Sequence, residues 1–125
     1  MRFCVAVTVG SGLGGLLRYG SSVAVQRWIG SDFPWGTFFV NVIGCGLLGF
    51  LAAWSVERGA WTPEARLFAT TGFLGGFTTF SAFSHETLRL VEGGDWTRAG
   101  VNVAATLLCT MFSVWAGAAA ARALP

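Results

Sequence analysis

Charged residues are absent from long stretches of this chain, and that absence limits what it can fold into. Phe33 to Val56 is a run of 24 residues without one, and Ala99 to Ala121 is another of 23. Each exceeds the roughly 20 residues that a helix needs to cross the hydrocarbon core of a bilayer. Leu67 to Ser84 adds 18 uncharged residues, and Phe3 to Leu17 adds 15 before Arg18 interrupts an apolar stretch that continues to Trp28. A water-soluble domain of 125 residues has to cover its exterior with polar groups, yet this chain is 54% hydrophobic and 11% charged, with a mean hydropathy of +0.62. The pattern predicts an all-α integral membrane protein in the lipid bilayer. It is one domain over residues 1–125, with four transmembrane helices at about residues 3–28, 34–56, 65–91 and 97–122.

The joints between these spans are short. Asp32 and Pro34 suit a turn and a helix start, Thr62 can cap a helix that has Pro63 at its first position, and Glu92-Gly93-Gly94-Asp95 closes the set. Trp28, Trp35, Trp61 and Trp96 stand beside the joints, as an interfacial aromatic belt requires. Cys4, Cys45 and Cys109 fall within spans without metal-ligand spacing and read as small packing residues. Arg2 ahead of an apolar run, with Ser22-Val23-Ala24 beyond it, imitates a secretory signal. Cleavage there would place Arg18 inside the signal and remove a span, so an uncleaved first helix is expected.

The eight basic residues are all arginine, set against six acids, and so small an excess suggests no nucleic-acid partner. With four spans, Arg2, Arg58, Arg66 and Arg122 face one compartment. Arg27, Arg89 and Arg98 face the other, and Arg18 lies towards that second end of the first span. The positive-inside rule has almost no bias to act on. A chain without that bias can insert in both orientations, and two opposed copies can then pair as an antiparallel, dual-topology homodimer.

Two motifs mislead. Gly10-Ser11-Gly12-Leu13-Gly14-Gly15 meets the dinucleotide-binding glycine pattern after the strand-like run Val5 to Val9, with Asp32 about twenty residues on. That fold needs amphipathic helices on both faces of a sheet, and this chain offers helices that are apolar all round, so the glycines read as close-packing sites between membrane helices. His85-Glu86 lacks the second histidine of a zinc-protease helix. With one histidine, no lysine and no acid pair, no catalytic constellation is present and no enzyme is expected.

The most informative stretch is Thr70 to Glu86, which places glycines and hydroxyl residues in the middle of a span. Gly75-Gly76 gives up helix propensity, so the third helix is predicted to break there. The carbonyls freed by a break need a protein interior or a watery cavity. They can coordinate a cation, and a buried Na⁺ is a reasonable occupant. Thr79, Ser81 and Ser84 offer hydroxyl donors. Phe80 and Phe83 share a helical face, and their ring edges carry the positive part of the aromatic quadrupole; an anion could use both. Asn41, within the second uncharged run, is either part of a conduction site or a structural hydrogen bond between helices. Thr106 and Thr110, one turn apart in span four, either line a pore or bond their own backbone. Arg18 draws anions into a vestibule if it faces water, or snorkels to headgroups.

These motifs together resemble the Fluc (CrcB) fluoride-channel family over essentially the whole chain. The carriers are Gly14-Gly15 with Arg18, Gly36-Thr37 with Asn41 and Gly44, and above all Gly72 through Glu86. The resemblance implies an antiparallel homodimer of four-helix subunits with two fluoride pores and a structural Na⁺ at the dimer interface, in the cytoplasmic membrane. It makes Phe80 and Phe83 the paired pore phenylalanines, Asn41 the pore asparagine and Arg18 the vestibule arginine. Gly75 and Thr78 become the Na⁺ ligands through their carbonyls, and Thr79, Ser81 and Ser84 a polar track with Glu86 following. Span four departs from the pattern: Asn102 and Thr106 stand where many relatives carry tyrosine and serine or histidine, while Thr110 aligns with a serine. The expected activity is passive fluoride export, giving fluoride resistance. A proton-coupled multidrug antiporter is the alternative, though it needs a carboxylate deep in a span.

Overall fold

The computed structural model describes residues 1–59 and 61–124, without the Arg58 side chain. The expectation for the Arg58 charge lies outside the described residues. The chain is all-helical, with no strand among the described residues: α1 (Arg2–Ile29), α2 (Trp35–Arg58), α3 (Pro63–Leu67), a π-helical turn (Phe68–Leu74), α4 (Gly75–Phe77), α5 (Phe80–Glu92) and α6 (Trp96–Ala123). Three of these helices, α1, α2 and α6, are long and apolar enough to cross a membrane. The remaining apolar stretch is divided, and residues 63–77 and 80–92 form two shorter helical halves.

The division lies at Thr78–Thr79, not at the predicted Gly75-Gly76. Gly75 keeps helical angles (φ −62, ψ −35), whereas Thr78 (ψ 157) and Thr79 (φ −153, ψ 121) are extended. The reason is that β-branched threonine tolerates extended backbone well, while Gly76 serves close approach. A Cβ built on Gly76 would lie 2.5 Å from the Ser11 carbonyl oxygen of α1.

Close approach recurs at the helix contacts. Gly10 and Gly14 of α1 seat the π turn, and a Cβ on Gly14 would sit 2.0 Å from the Phe73 carbonyl oxygen. The misleading glycine motif is therefore partly a packing motif; Gly12, by contrast, has nothing within 4 Å. The α2–α6 contact uses Gly49 and Gly117, whose added Cβ atoms would each lie 2.0 Å from a facing carbonyl oxygen, and Ser113 donates to the Val42 carbonyl at 2.7 Å. Of the three cysteines, Cys45 and Cys109 are partly buried but Cys4 is exposed, so packing within the chain does not account for Cys4.

The joints are tied by side chains. Gln26 donates to the carbonyls of Ser31 and Phe33 and accepts from the Gly36 amide, fastening the end of α1 to the start of α2. Thr62 caps α3 by accepting from the Ala65 amide, with Pro63 at the first helical position, and Asp95 caps α6 through the Arg98 amide.

Burial runs opposite to that of a soluble protein. Leu16, Leu108, Met111 and Phe112 are each about two-thirds exposed or more, while Thr37, Asn41, Ser55, Asn102 and Thr106 are buried. Apolar outside and polar inside is the arrangement that hydrocarbon solvent selects. Gly49→Ala is expected to destabilise the fold by about 1–3 kcal/mol, because the methyl group meets backbone. Gly100→Ala, with open space around it, is expected to leave stability unchanged. Thermal unfolding of the two variants in detergent checks the contrast.

Candidate functional site

A backbone that leaves the helix inside a membrane must find new partners for its polar groups. Asn41 of α2 supplies them. Its Oδ1 accepts from the Thr79 amide at 2.7 Å and its Nδ2 donates to the Thr79 carbonyl at 3.0 Å, so one side chain satisfies both backbone groups of one residue. The Thr79 hydroxyl then caps α5 by accepting from the Ala82 amide at 3.2 Å. Thr78 closes the preceding half: its amide and its hydroxyl both donate to the Leu74 carbonyl. The Thr78 carbonyl faces Arg18, whose Nη1 donates to it at 3.5 Å.

Two cavities meet at this break. The smaller, about 200 Å³, is walled by Asn41, Thr79, Phe80, Phe83, Thr106 and Thr110, with Cys45, Thr78 and Leu107 completing it. Phe83 is buried and Phe80 is 74% exposed, with ring centroids 5.4 Å apart at 48°. The larger, about 440 Å³, contains Arg18, Ser81, Thr37 and Glu86. Thr79 borders both, and its hydroxyl lies 3.1 Å from that of Ser81.

Ser84 lines neither cavity and donates to the Phe80 carbonyl at 2.9 Å. Thr110 is at the wall of the smaller one but donates to the Thr106 carbonyl at 2.7 Å. Two partly buried connections were not anticipated. Thr37 donates to Glu86 Oε1 at 2.7 Å, while Glu86 Oε2 is buried with no hydrogen-bond partner among the described residues. Asn102, of which 1% is exposed, donates to the Thr87 hydroxyl at 2.8 Å. The partners of the first pair are 49 residues apart, so only the polarity of Thr37 within its uncharged run could have hinted at it.

Among the described residues no group of His, Cys, Asp or Glu could hold a metal, so a cation here would depend on carbonyl oxygens, which suit a hard ion such as Na⁺. The residues fit that demand. In an unbroken helix the Thr79 amide would serve the Gly75 carbonyl; it serves Asn41 instead, and that carbonyl is released from its helical partner. Among the described residues, the Thr78 carbonyl is engaged only by the long Arg18 contact.

A family model described as CrcB-like protein, Camphor Resistance (CrcB), matches residues 5–118, which include every residue of both cavities. The chain belongs to the CrcB family. Its CrcB relatives include a protein of Roseiflexus sp. (strain RS-1), 45% identical over 122 residues, covering 97% of this chain and 98% of that one. Another is from Thermus thermophilus, 45% identical over 117 residues, covering 94% and 93%. A third, from Opitutus terrae, is 43% identical over 126 residues, covering 99% and 96%. All three carry the name fluoride-specific ion channel FluC.

Within this CrcB chain, Asn41→Leu would leave the Thr79 amide and carbonyl unpaired. It is expected to lower stability by about 1–3 kcal/mol or more, read as a fall in thermal unfolding temperature in detergent.

Proposed function

We propose that this chain is a fluoride-selective channel that lets the anion leave the cell passively through the cytoplasmic membrane. One observation carries the reading: the cavity at the helix break gathers an amide, hydroxyls and two phenyl rings, with an arginine beside the neighbouring cavity. Fluoride is small and strongly hydrated, so a site that strips its water must return hydrogen-bond donors and positive ring edges in a tight space. Arg18 concentrates anions at the wider cavity. Asn41, Thr79, Phe80, Phe83 and Thr106 then replace hydration, and Ser81 extends the hydroxyl track, with Ser84 and Thr110 behind it, committed to their own helix backbone. Undissociated HF crosses membranes in acid surroundings and ionises in a more alkaline cytoplasm, and the membrane potential then drives the anion out through the channel without energy coupling.

The working unit in this reading is an antiparallel homodimer, with residues 63–92 of each copy as a fourth, broken crossing. The even split of arginines supports it, as does Phe80, whose ring is largely unpacked within one chain. Na⁺ at the dimer interface would be held by the Gly75 and Thr78 carbonyls of the two copies. The antiporter reading lacks support, since Glu86, the acid at the cavities, lies beyond the break towards the end of span three and the relatives are named as channels.

Purified protein in liposomes is expected to release fluoride, followed with a fluoride electrode, and to retain chloride. Absence of fluoride release, or equal chloride release, would sink the reading. Phe83→Ile is expected to cut fluoride flux about tenfold or more, corresponding to roughly 1.4 kcal/mol of lost barrier stabilisation.

A further inference from the structure

Several hydroxyl residues of this chain turn back on their own backbone. Thr70, Thr78, Ser84, Thr87 and Thr110 each donate to the carbonyl four residues earlier, at 2.7–3.1 Å. Thr106 differs. Its hydroxyl donates to a side chain, Asn102 Oδ1, and at 3.5 Å, the outer limit of a hydrogen bond. Thr106 is also on the wall of the phenylalanine cavity, whereas Asn102 is not.

The cause lies one helix away. The Thr87 hydroxyl commits its single proton to the Phe83 carbonyl at 2.7 Å, so its oxygen can only accept from Asn102. Asn102 therefore turns its Nδ2 towards Thr87, at 2.8 Å, and its Oδ1 towards Thr106. All three bonds run in one direction, from Thr106 through Asn102 and Thr87 to the backbone of Phe83. Buried chains of this kind polarise along their length. The same chain pins α5 to α6 beside the ring of Phe83, which is the buried residue of α5.

We propose that Asn102 is a positioning residue for anion passage: oriented by Thr87, it holds the Thr106 hydroxyl off its own helix backbone as a loosely engaged donor that an anion in the phenylalanine cavity recruits. The inference rests on the channel reading and assigns Asn102 no contact with the ion. The 3.5 Å bond is the easiest of the span hydroxyl bonds to give up, so Thr106 can donate to an arriving anion with little loss. Without Asn102 Oδ1, the Thr106 hydroxyl falls back on its helix carbonyl as its neighbours do.

The test is fluoride efflux from liposomes, with thermal unfolding measured on the same preparations. Asn102→Leu alone leaves Thr87 without its buried donor and can weaken the fold, so the informative variant is Asn102→Leu with Thr87→Val, which removes both polar partners and keeps apolar volume. It is expected to unfold close to the wild-type temperature while its fluoride flux falls about tenfold. Thr106→Val is expected to lower flux similarly, and adding it to the double variant should cause no further loss. Thr87→Ser, which retains the hydroxyl, should conduct as wild type. Wild-type flux from the double variant, or a full additional loss on adding Thr106→Val, overturns the inference while leaving the channel reading intact. No fluoride flux from the unaltered chain overturns both.

Discussion

Hydrocarbon offers no hydrogen bonds, so a helix can be interrupted within a membrane only where side chains replace the backbone bonds that are lost. In this chain the replacement is one amide. The two bonds from Asn41 to Thr79 satisfy the residue at the centre of the break, and the other features of the site follow from them. Because Thr79 is held extended, its hydroxyl is placed to start α5, and α5 in turn sets the positions of Phe80 and Phe83. Because the Thr79 amide is taken by Asn41, the Gly75 carbonyl loses its usual partner. The alternatives left open for Asn41, structural bond or site residue, are thus not exclusive: its amide builds the break and also borders the cavity that the break creates.

Holding that amide in place requires helices at close range, and the glycines provide it. Gly10 and Gly14 bring α1 against the π turn, and Gly49 and Gly117 bring α2 against α6. Backbones this near leave little room for large side chains between them, which explains why so much of the apolar surface faces outward and why the few buried positions are often polar. Packing and polar bonding, more than apolar burial, hold the helices together, as expected when the solvent is itself apolar.

The helical class and the three uninterrupted helices were legible in the chain because their signal is local: uncharged runs of sufficient length give it directly. The presence of a break in the third apolar stretch was also legible, but its position was not. Gly75-Gly76 looked weakest by propensity, yet those residues stay helical, with α1 packed against Gly76, and the two threonines after Phe77 take the extended form. Propensity describes a helix alone, and here a neighbouring helix decided. Six of the eight residues expected to line a pore meet in one cavity, because α2, the break and α6 pack together there. Ser84 and Thr110 show the limit of that reading, because composition does not reveal whether a hydroxyl donates to its own helix. The links Thr37–Glu86 and Asn102–Thr87 joined separate helices, and no local pattern encodes such pairs.

The π turn at Phe68–Leu74 lies between two fixed points, the Thr62–Pro63 start at one end and the threonines pinned by Asn41 at the other. A π turn winds more residues into each turn than an α-helix does, so it advances less along its axis. The same seven residues rewound as α-helix would reach further. The third stretch therefore carries its axially shorter winding in the half that does not hold Phe80 and Phe83. The helical half before the break is thus shorter than an all-α run of the same residues would be, and the break lies correspondingly nearer the Thr62–Pro63 start.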